Sequence, residues 1–420
     1  MKKSIIFTII ALLAVISIVT IIWILQVQYK PDYSSQKRAH QYFGQLNFSL
    51  KLLDSLQKEQ PNESIIYSPH SLYQVLLLAY FGAGGKTEKE LKDLLGLHWA
   101  ESKADIEYMY ELEKEVRAER FQSQSQNQTI EFNSVNKLYV SAKFRLKYSV
   151  KKLLNDRIEQ LNFDTDLDQC IKQINQFVEK ITKNQIQNLI RDEIKEHTAL
   201  AIVNAVYFKG DWEKRFDKAD TERELFYGRQ HVHVDMMYKE ERTECGLIES
   251  LKVRFLKVPY KGEDGSISMY IFLPLDNSTS IDDLLGKFTP KILDYAFNRV
   301  EIKTPIVHIL IPKFSLEKTS DLESAMKRMG SQNLFKNSNF NGFFEASVKT
   351  GDNKMVHKAK IEVNEEGSTA SAATLFGMPL HSIHSRPKSV VFKCNRPFMF
   401  VIHDRKFKEI LFAGIYHGPK

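Results

Sequence analysis

Ser68 and Ser71 in IIYSPHSLYQVLLL, Asn204 in ALAIVNAVYF and His357 in KMVHKAKIEV are polar residues set into apolar runs, and with a carboxylate added they would imitate a hydrolase. Acyl transfer by serine needs a base within hydrogen-bonding reach and donors aimed at the oxyanion. Neither serine lies in a G-x-S-x-G turn and no glycine run offers an oxyanion hole, so no catalytic residue and no enzyme activity are expected. Buried polar groups of this kind must instead hydrogen-bond to one another, since each left unpaired costs about 1–3 kcal/mol. The string FGAGGKT, from Phe81 to Thr87, ends like a phosphate-binding loop, whose amides cradle phosphates while the lysine meets their charge. Its first glycine is replaced by Tyr80 and it follows a helix-period run. A helix closed by glycines is expected there, then a second helix opened by Thr87 with Glu90 as a capping box. His231 and His233 in RQHVHVD alternate as on one face of a surface strand. No His, Cys, Asp or Glu spacing reads as a metal site, and no cofactor is expected.

The run EEGSTASAAT, residues 365 to 374, has almost no side-chain bulk. Taken alone it reads as a Ser/Ala-rich surface loop. With a strand period, Ser368, Ala370, Ala372 and Thr374 share one side, and Thr369, Ser371, Ala373 and Leu375 the other; either side could slide into a packed interior. Upstream, KMVHKAKIEVNEEG reads as a strand feeding this run. Downstream, FKCNRPFMFVIHDRKFKEILFAGIYHGP alternates in two strand-length pieces around a charged turn at Asp404 to Lys408.

The elements that would position these residues follow one another along the whole chain. NESIIYSPHSLYQVLLLAYFGAGGKTEKELKDLLGL (62 to 97) reads as a pair of helices and INQFVEKITKNQIQNLI (174 to 190) as another helix. ALAIVNAVYFKGDWEKRF (199 to 216) is a strand carrying Asn204 and Trp212. VPYKGEDGSISMYIFLPLD (258 to 276) and IPKFSLEKTSDLESAMKRMGSQNLF (311 to 335) lead to His357. In this order and spacing the segments resemble the serpins, the serine protease inhibitors, and their insect members in particular, from roughly residue 40 to 419.

Strand-period stretches at 200 to 208, 266 to 273, 307 to 314 and 390 to 402 alternate with helical ones at 70 to 81, 171 to 182 and 320 to 330, which indicates a mixed fold with substantial sheet. The resemblance implies the rest: an α+β serpin fold with three β-sheets, about nine helices and an exposed reactive-centre loop at about 365 to 388. It also implies that Ser68, Ser71, Asn204 and His357 form a hydrogen-bonded cluster beneath the central sheet. Glu365, Glu366, Gly367, Ser368, Ala370, Ala372 and Thr374 become the hinge of the loop. Two positions depart from the family pattern, which usually has an acid at Thr369 and Ala at Ser371, but both replacements stay small and uncharged. Counting the family's usual spacing from Glu365 puts the scissile bond between His381 and Ser382, with Leu380 the neighbouring candidate. Arg386 is followed by Pro387, whose tertiary amide cleaves poorly. The implied partner is a serine protease held in a covalent complex; the alternative is a non-inhibitory carrier or storage protein of the same fold.

With 420 residues, 43% hydrophobic and 26% charged, the chain has an ordinary globular composition and no linker that would split residues 30 to 420. The net charge of +7 is mild, no nucleic-acid partner is expected, and a monomer is. ESKADIEYMYELEKEVRAER (101 to 120) mixes acids and bases evenly, so no heparin site is expected there; RFQSQSQNQ after it reads as a loop. Lys143, Arg145, Lys151 and Lys152 read as a solvated basic face. Cys170, Cys245 and Cys394 are too few for a disulfide framework.

After Lys2 and Lys3 an apolar run from Ile5 to Leu25 marks residues 1 to 29 as a signal peptide or an uncleaved signal anchor. Either places the folded domain outside, secreted in the first case and membrane-attached in the second. Asn47, Asn62, Asn127 and Asn277 open N-x-S/T triplets. Material from a secretory host is therefore expected to gain mobility on a denaturing gel after glycosidase treatment; unchanged mobility would contradict glycosylation.

Overall fold

The computed structural model describes residues 35–124, 129–262, 265–276, 279–298, 304–347, 353–367 and 389–419. Among them are nine α-helices and three β-sheets, an α+β architecture. The central sheet has five strands: β2 (Ile130–Ser141), β3 (Ile158–Leu161), β4 (Leu200–Gly210), β11 (Phe314–Asp321) and β12 (Asn353–Val363), in the order β11-β12-β4-β2-β3. A six-stranded sheet joins β1 (Ile65–Tyr67), β7 (Cys245–Ile248), β8 (Val253–Pro259), β9 (Ile267–Pro274), β14 (Phe398–Asp404) and β15 (Glu409–Tyr416), in the order β1-β15-β14-β9-β8-β7. The third has β5 (Glu222–Tyr227), β6 (His231–Arg242), β10 (Ile306–Pro312) and β13 (Val390–Lys393), in the order β13-β10-β6-β5.

Alternation along the strands decides what packs where. On β9 and β14, Tyr270, Phe272, Met399 and Val401 face the helical core, while Met269, Ile271, Phe400 and Ile402 face the central sheet's Val206, Phe208, Ala359 and Ile361. β4 is enclosed on both sides, its Val203, Ala205 and Tyr207 meeting Cys170, Ile174 and Val178 of the Leu167–Ile181 helix. The Pro69–Gly82 helix is apolar all round, and everything but His70 and Gln74 is buried. Ser68 caps it, accepting a hydrogen bond from Ser71 N, and Pro69 at the first helical position gives up an amide that would be unpaired anyway.

Four local expectations are corrected. The second helix of the 62 to 97 pair runs Gly85–Leu94 with Gly84 as its cap, so Thr87 and Glu90 are interior. Their side chains serve tertiary contacts instead: Thr87 Oγ1 accepts from Asn339 N at 2.9 Å, and the Glu90 carboxylate accepts from Asn333 N and Nδ2. The helix Lys103–Gln124 continues into the Gln/Ser patch read as loop. The helix read at 320 to 330 is Leu322–Arg328, because Ser320 belongs to β11 opposite His357. The run 390 to 402 is two strands in different sheets: Cys394 N still bonds Leu310 O and Asn395 O receives Tyr227 N, and then Pro397, with no N–H to give, starts the passage into β14.

Candidate functional site

β12 pairs parallel with β4, from Asn353 opposite Leu200 to Ile361 opposite Phe208. Each strand is antiparallel to its other neighbour, β12 to β11 and β4 to β2. The polar residues singled out in the sequence meet at this seam. His357 and Asn204 are register partners, and His357 Nδ1 lies 2.5 Å from Asn204 Oδ1. Asn204 Nδ2 donates to Ser71 Oγ at 2.8 Å and to Asn136 Oδ1, and Ser71 Oγ donates to Asn136 Oδ1 at 2.6 Å. Because Asn204 Oδ1 can only accept, His357 must be the Nδ1–H tautomer. Its Nε2 then has no partner among the described residues, in a fully buried site. Burial lowers the His357 pKa to about 3, so the ring is neutral. Ser68 joins only through Ser71 N; its own hydroxyl donates to Leu411 O at 2.6 Å, tying the helix cap to β15. Asn136 on β2 is a member that sequence reading missed. Its only signal was an asparagine entering the buried half of the strand IEFNSVNKLYVS, beside Lys137.

Beyond Val363 the chain is clamped to the end of β4. Trp212, stacked on Tyr260 at 4.4 Å, donates from Nε1 to Asn364 O at 2.8 Å and from its backbone N to Glu366 O. Phe216 N donates to Glu365 O. Glu365 is buried, 3.1 Å from Lys313 Nζ and accepting from Thr221 Oγ1 at 3.2 Å. Burial alone would raise its carboxyl, but its own backbone N–H, the Lys313 ammonium and the Thr221 hydroxyl hold it below the usual value. Glu366 pairs with Lys218 at 2.8 Å. Gly367 has φ +85, and a Cβ there would lie 2.3 Å from Gly210 O and Trp212 N, so only glycine lets the backbone pass this close. Ser368, Ala370, Ala372, Thr374, Leu380, His381 and Ser382 lie outside the described residues, which resume at Ser389.

Of the sequons, Asn47 is exposed on the Ser35–Glu59 helix and Asn62 is exposed in a turn at φ 62; Asn127 and Asn277 lie outside the described residues. Cys170, Cys245 and Cys394 are all free thiols, and burial pushes Cys245 up to about 11. Arg145 pairs with Glu345 at 3.2 Å, while Lys151 and Lys152 are exposed. Among the described residues no helix is long and apolar enough to cross a membrane, and no group of side chains is arranged to hold a metal ion.

A family model described as serpin (serine protease inhibitor) matches residues 44–419. The chain belongs to the serpin family. Serine protease inhibitor 88Ea of Drosophila melanogaster is 35% identical over 404 residues, covering 91% of this chain and 92% of that one. Human Serpin B3 is 30% identical, covering 89% and 97%. Among solved structures, native protease nexin-1 with heparin superposes with a TM-score of 0.76 at 26% identity, covering 91% of this chain and all of that one. Serpin48 of the insect Tenebrio molitor, with a TM-score of 0.75 at 24% identity over 93% of this serpin and all of that one, shares the fold.

Two buried histidines make the serpin's stability depend on pH. His403, stacked on Phe297 at 4.1 Å with neither ring nitrogen partnered among the described residues, is also lowered to about 3, chiefly by burial. Above pH 6.5 such a ring is neutral whether folded or unfolded, and nothing changes. Below it the unfolded chain takes up a proton that the folded one refuses, so stability falls by about 1.4 kcal/mol per pH unit for each ring until about pH 3. His403→Phe should therefore gain on the wild type by roughly that amount per unit between pH 6 and 4.5 in denaturant titrations. Parallel curves would contradict the assignment.

Proposed function

We propose that this serpin inhibits an extracellular serine protease as a suicide substrate. The protease serine attacks the carbonyl of the residue before the scissile bond, His381 or the neighbouring Leu380. The amine of the next residue, Ser382 for a cut at His381, leaves with the proton passed on by the protease histidine, and the acyl ester remains. The freed hinge from Ser368 onward then enters between β4 and β12, and the attached protease is displaced and distorted before water reaches the ester.

The observation that carries this reading is the seam. β12 runs straight into the hinge and lies parallel to β4, so a chain that turns back after Gly367 meets both strands antiparallel and replaces one parallel ladder with two antiparallel ones, the better-bonded kind. Entry must part His357 from Asn204 and release Glu366 O from Trp212 N. The small side chains at Ser368, Ala370, Ala372 and Thr374 suit passage into a dense interior. The apolar leader and the exposed Asn47 and Asn62 sequons support an extracellular domain, secreted or anchored, with glycans. A second reading, a carrier of the same fold, is favoured by the likeness to human thyroxine-binding globulin, which superposes with a TM-score of 0.76 at 23% identity.

Ser368→Arg separates the two. An arginine on the entering side must be desolvated at a cost of several kcal/mol, which stalls insertion but not acylation at the far end of the loop. The variant should be cleaved at the same bond, leave little covalent complex on a denaturing gel and release active protease. Wild-type protein nicked in the loop should melt at a markedly higher temperature. Undiminished inhibition by the variant would contradict loop insertion, whereas a wild type that forms no covalent complex and whose melting point does not move on nicking favours the carrier.

A further inference from the structure

We infer that the chain also carries a binding site for a small organic anion with an apolar or aromatic body, in a double cleft around Arg396 where the four- and six-stranded sheets meet. This inference is independent of the inhibitory reading. A cleft of about 230 Å³ lies between Arg254, Leu275, Val391 and Arg396. A second, of about 310 Å³, shares Pro274 and Arg396 with it and runs past Tyr227, Arg229 and His231. Together they have the size and mixed lining of a small-ligand site.

Charge points to an anion. Arg396 donates to the Pro274 carbonyl at 2.6 Å, the Leu275 carbonyl at 3.0 Å and Asn395 Oδ1 at 3.0 Å, neutral acceptors that orient it without neutralising it. Burial above all, and the like charge of Arg254, pull this guanidinium below its ordinary value. Arg254 donates to the Val391 carbonyl at 3.2 Å and has no carboxylate partner among the described residues. Lys393 is already matched by Glu224, and Asp276, which acts on Arg396, is the one carboxylate among the described residues lining the clefts. Two guanidinium groups around one cavity are arranged for a carboxylate, sulfate or sulfonate: Arg254, which spends one donor on Val391 O, can meet it with a pair of N–H groups, while Arg396, whose Nε and Nη2 are committed to the Pro274 and Leu275 carbonyls, adds charge and one Nη1 donor.

Apolar surface points to the rest of the ligand. Leu112, Tyr148, Ile181, Tyr227, Leu275, Tyr295 and Val391 are the exposed large hydrophobics among the described residues, and Tyr227, Leu275 and Val391 line these two clefts. Scattered exposed apolar residues need no explanation, but convergence on a cationic cleft does. Val391, 58% exposed, belongs to β13, a four-residue edge strand that pairs only with β10 among the described residues. An anion bridging Arg254 and Arg396 would fasten that edge to β8 and to the end of β9.

The test is calorimetric titration of the whole protein with naphthalene-1-sulfonate, beside naphthalene-1-methanol and sodium sulfate. One sulfonate should bind per chain, with the neutral alcohol and the bare sulfate each weaker by about tenfold or more. Arg254→Gln should weaken sulfonate binding by about tenfold, and Val391→Glu, which places a carboxylate at the mouth, should abolish it. Should Arg254→Gln fail to fold, Val391→Glu on the exposed edge decides. Bound sulfonate should also raise the melting temperature of the wild type and not of Val391→Glu. No binding, equal binding of alcohol or sulfate, or binding that survives Val391→Glu would overturn the site.

Discussion

β4 and β12 lie parallel at the centre of a sheet in which each is antiparallel to its other neighbour, and residues 364–367 follow β12 in a turn. A parallel ladder bonds less well per residue than an antiparallel one. The arrangement therefore leaves a better pairing unmade in the middle of the molecule. Much else in the fold bears on that seam: the six-stranded sheet packs beneath it through Val206, Phe208, Ala359 and Ile361, and the Pro69–Gly82 helix delivers Ser71 to it from below.

Two sets of bonds keep the seam closed, and they differ in kind. At its middle, Asn204 couples His357 of β12 to Ser71 and to Asn136 of β2, so opening parts a buried amide from a neutral imidazole whose other nitrogen already has no partner among the described residues. Leaving such groups without partners costs about 1–3 kcal/mol each, which restrains opening until an entering strand supplies replacements. At its upper end the clamp is mostly backbone and charge: Trp212 and Phe216 hold the carbonyls of Asn364, Glu365 and Glu366, while Lys313 and Lys218 hold the two carboxylates. The Glu366 pair is exposed at Lys218 and contributes little, whereas the Glu365 carboxylate is itself buried and has three donors, its own backbone N–H, Thr221 and the exposed Lys313. The inner carboxylate is thus the stronger hold on the first step of entry.

The sequence made much of this legible because the seam is built from residues that violate their surroundings. A serine, an asparagine and a histidine inside apolar strands and a helix must find one another, and the ordered segments resembling the serpins say where. Asn136 escaped because its strand mixes polar and apolar residues from Ile130 onward, so one more asparagine stood out less than Asn204 does among Ile, Val and Ala. Thr87 and Glu90 were misread for a related reason: a capping-box pattern is local, and here two loop asparagines from some 250 residues away claim both side chains. The break between β13 and β14 was written in the sequence as Asn395 to Pro397, yet period-two alternation on both sides of it hid the change of sheet.

The seam is tested most directly by stapling it shut. Val206 and Ala359 are register partners across β4 and β12, both buried on the same face. Cysteines at these two positions, oxidised to a disulfide, should leave a protein that the protease cleaves and releases, with covalent complex appearing only after reduction. If the oxidised form traps the protease as well as the reduced one, the seam does not open during inhibition and this account of the fold is wrong.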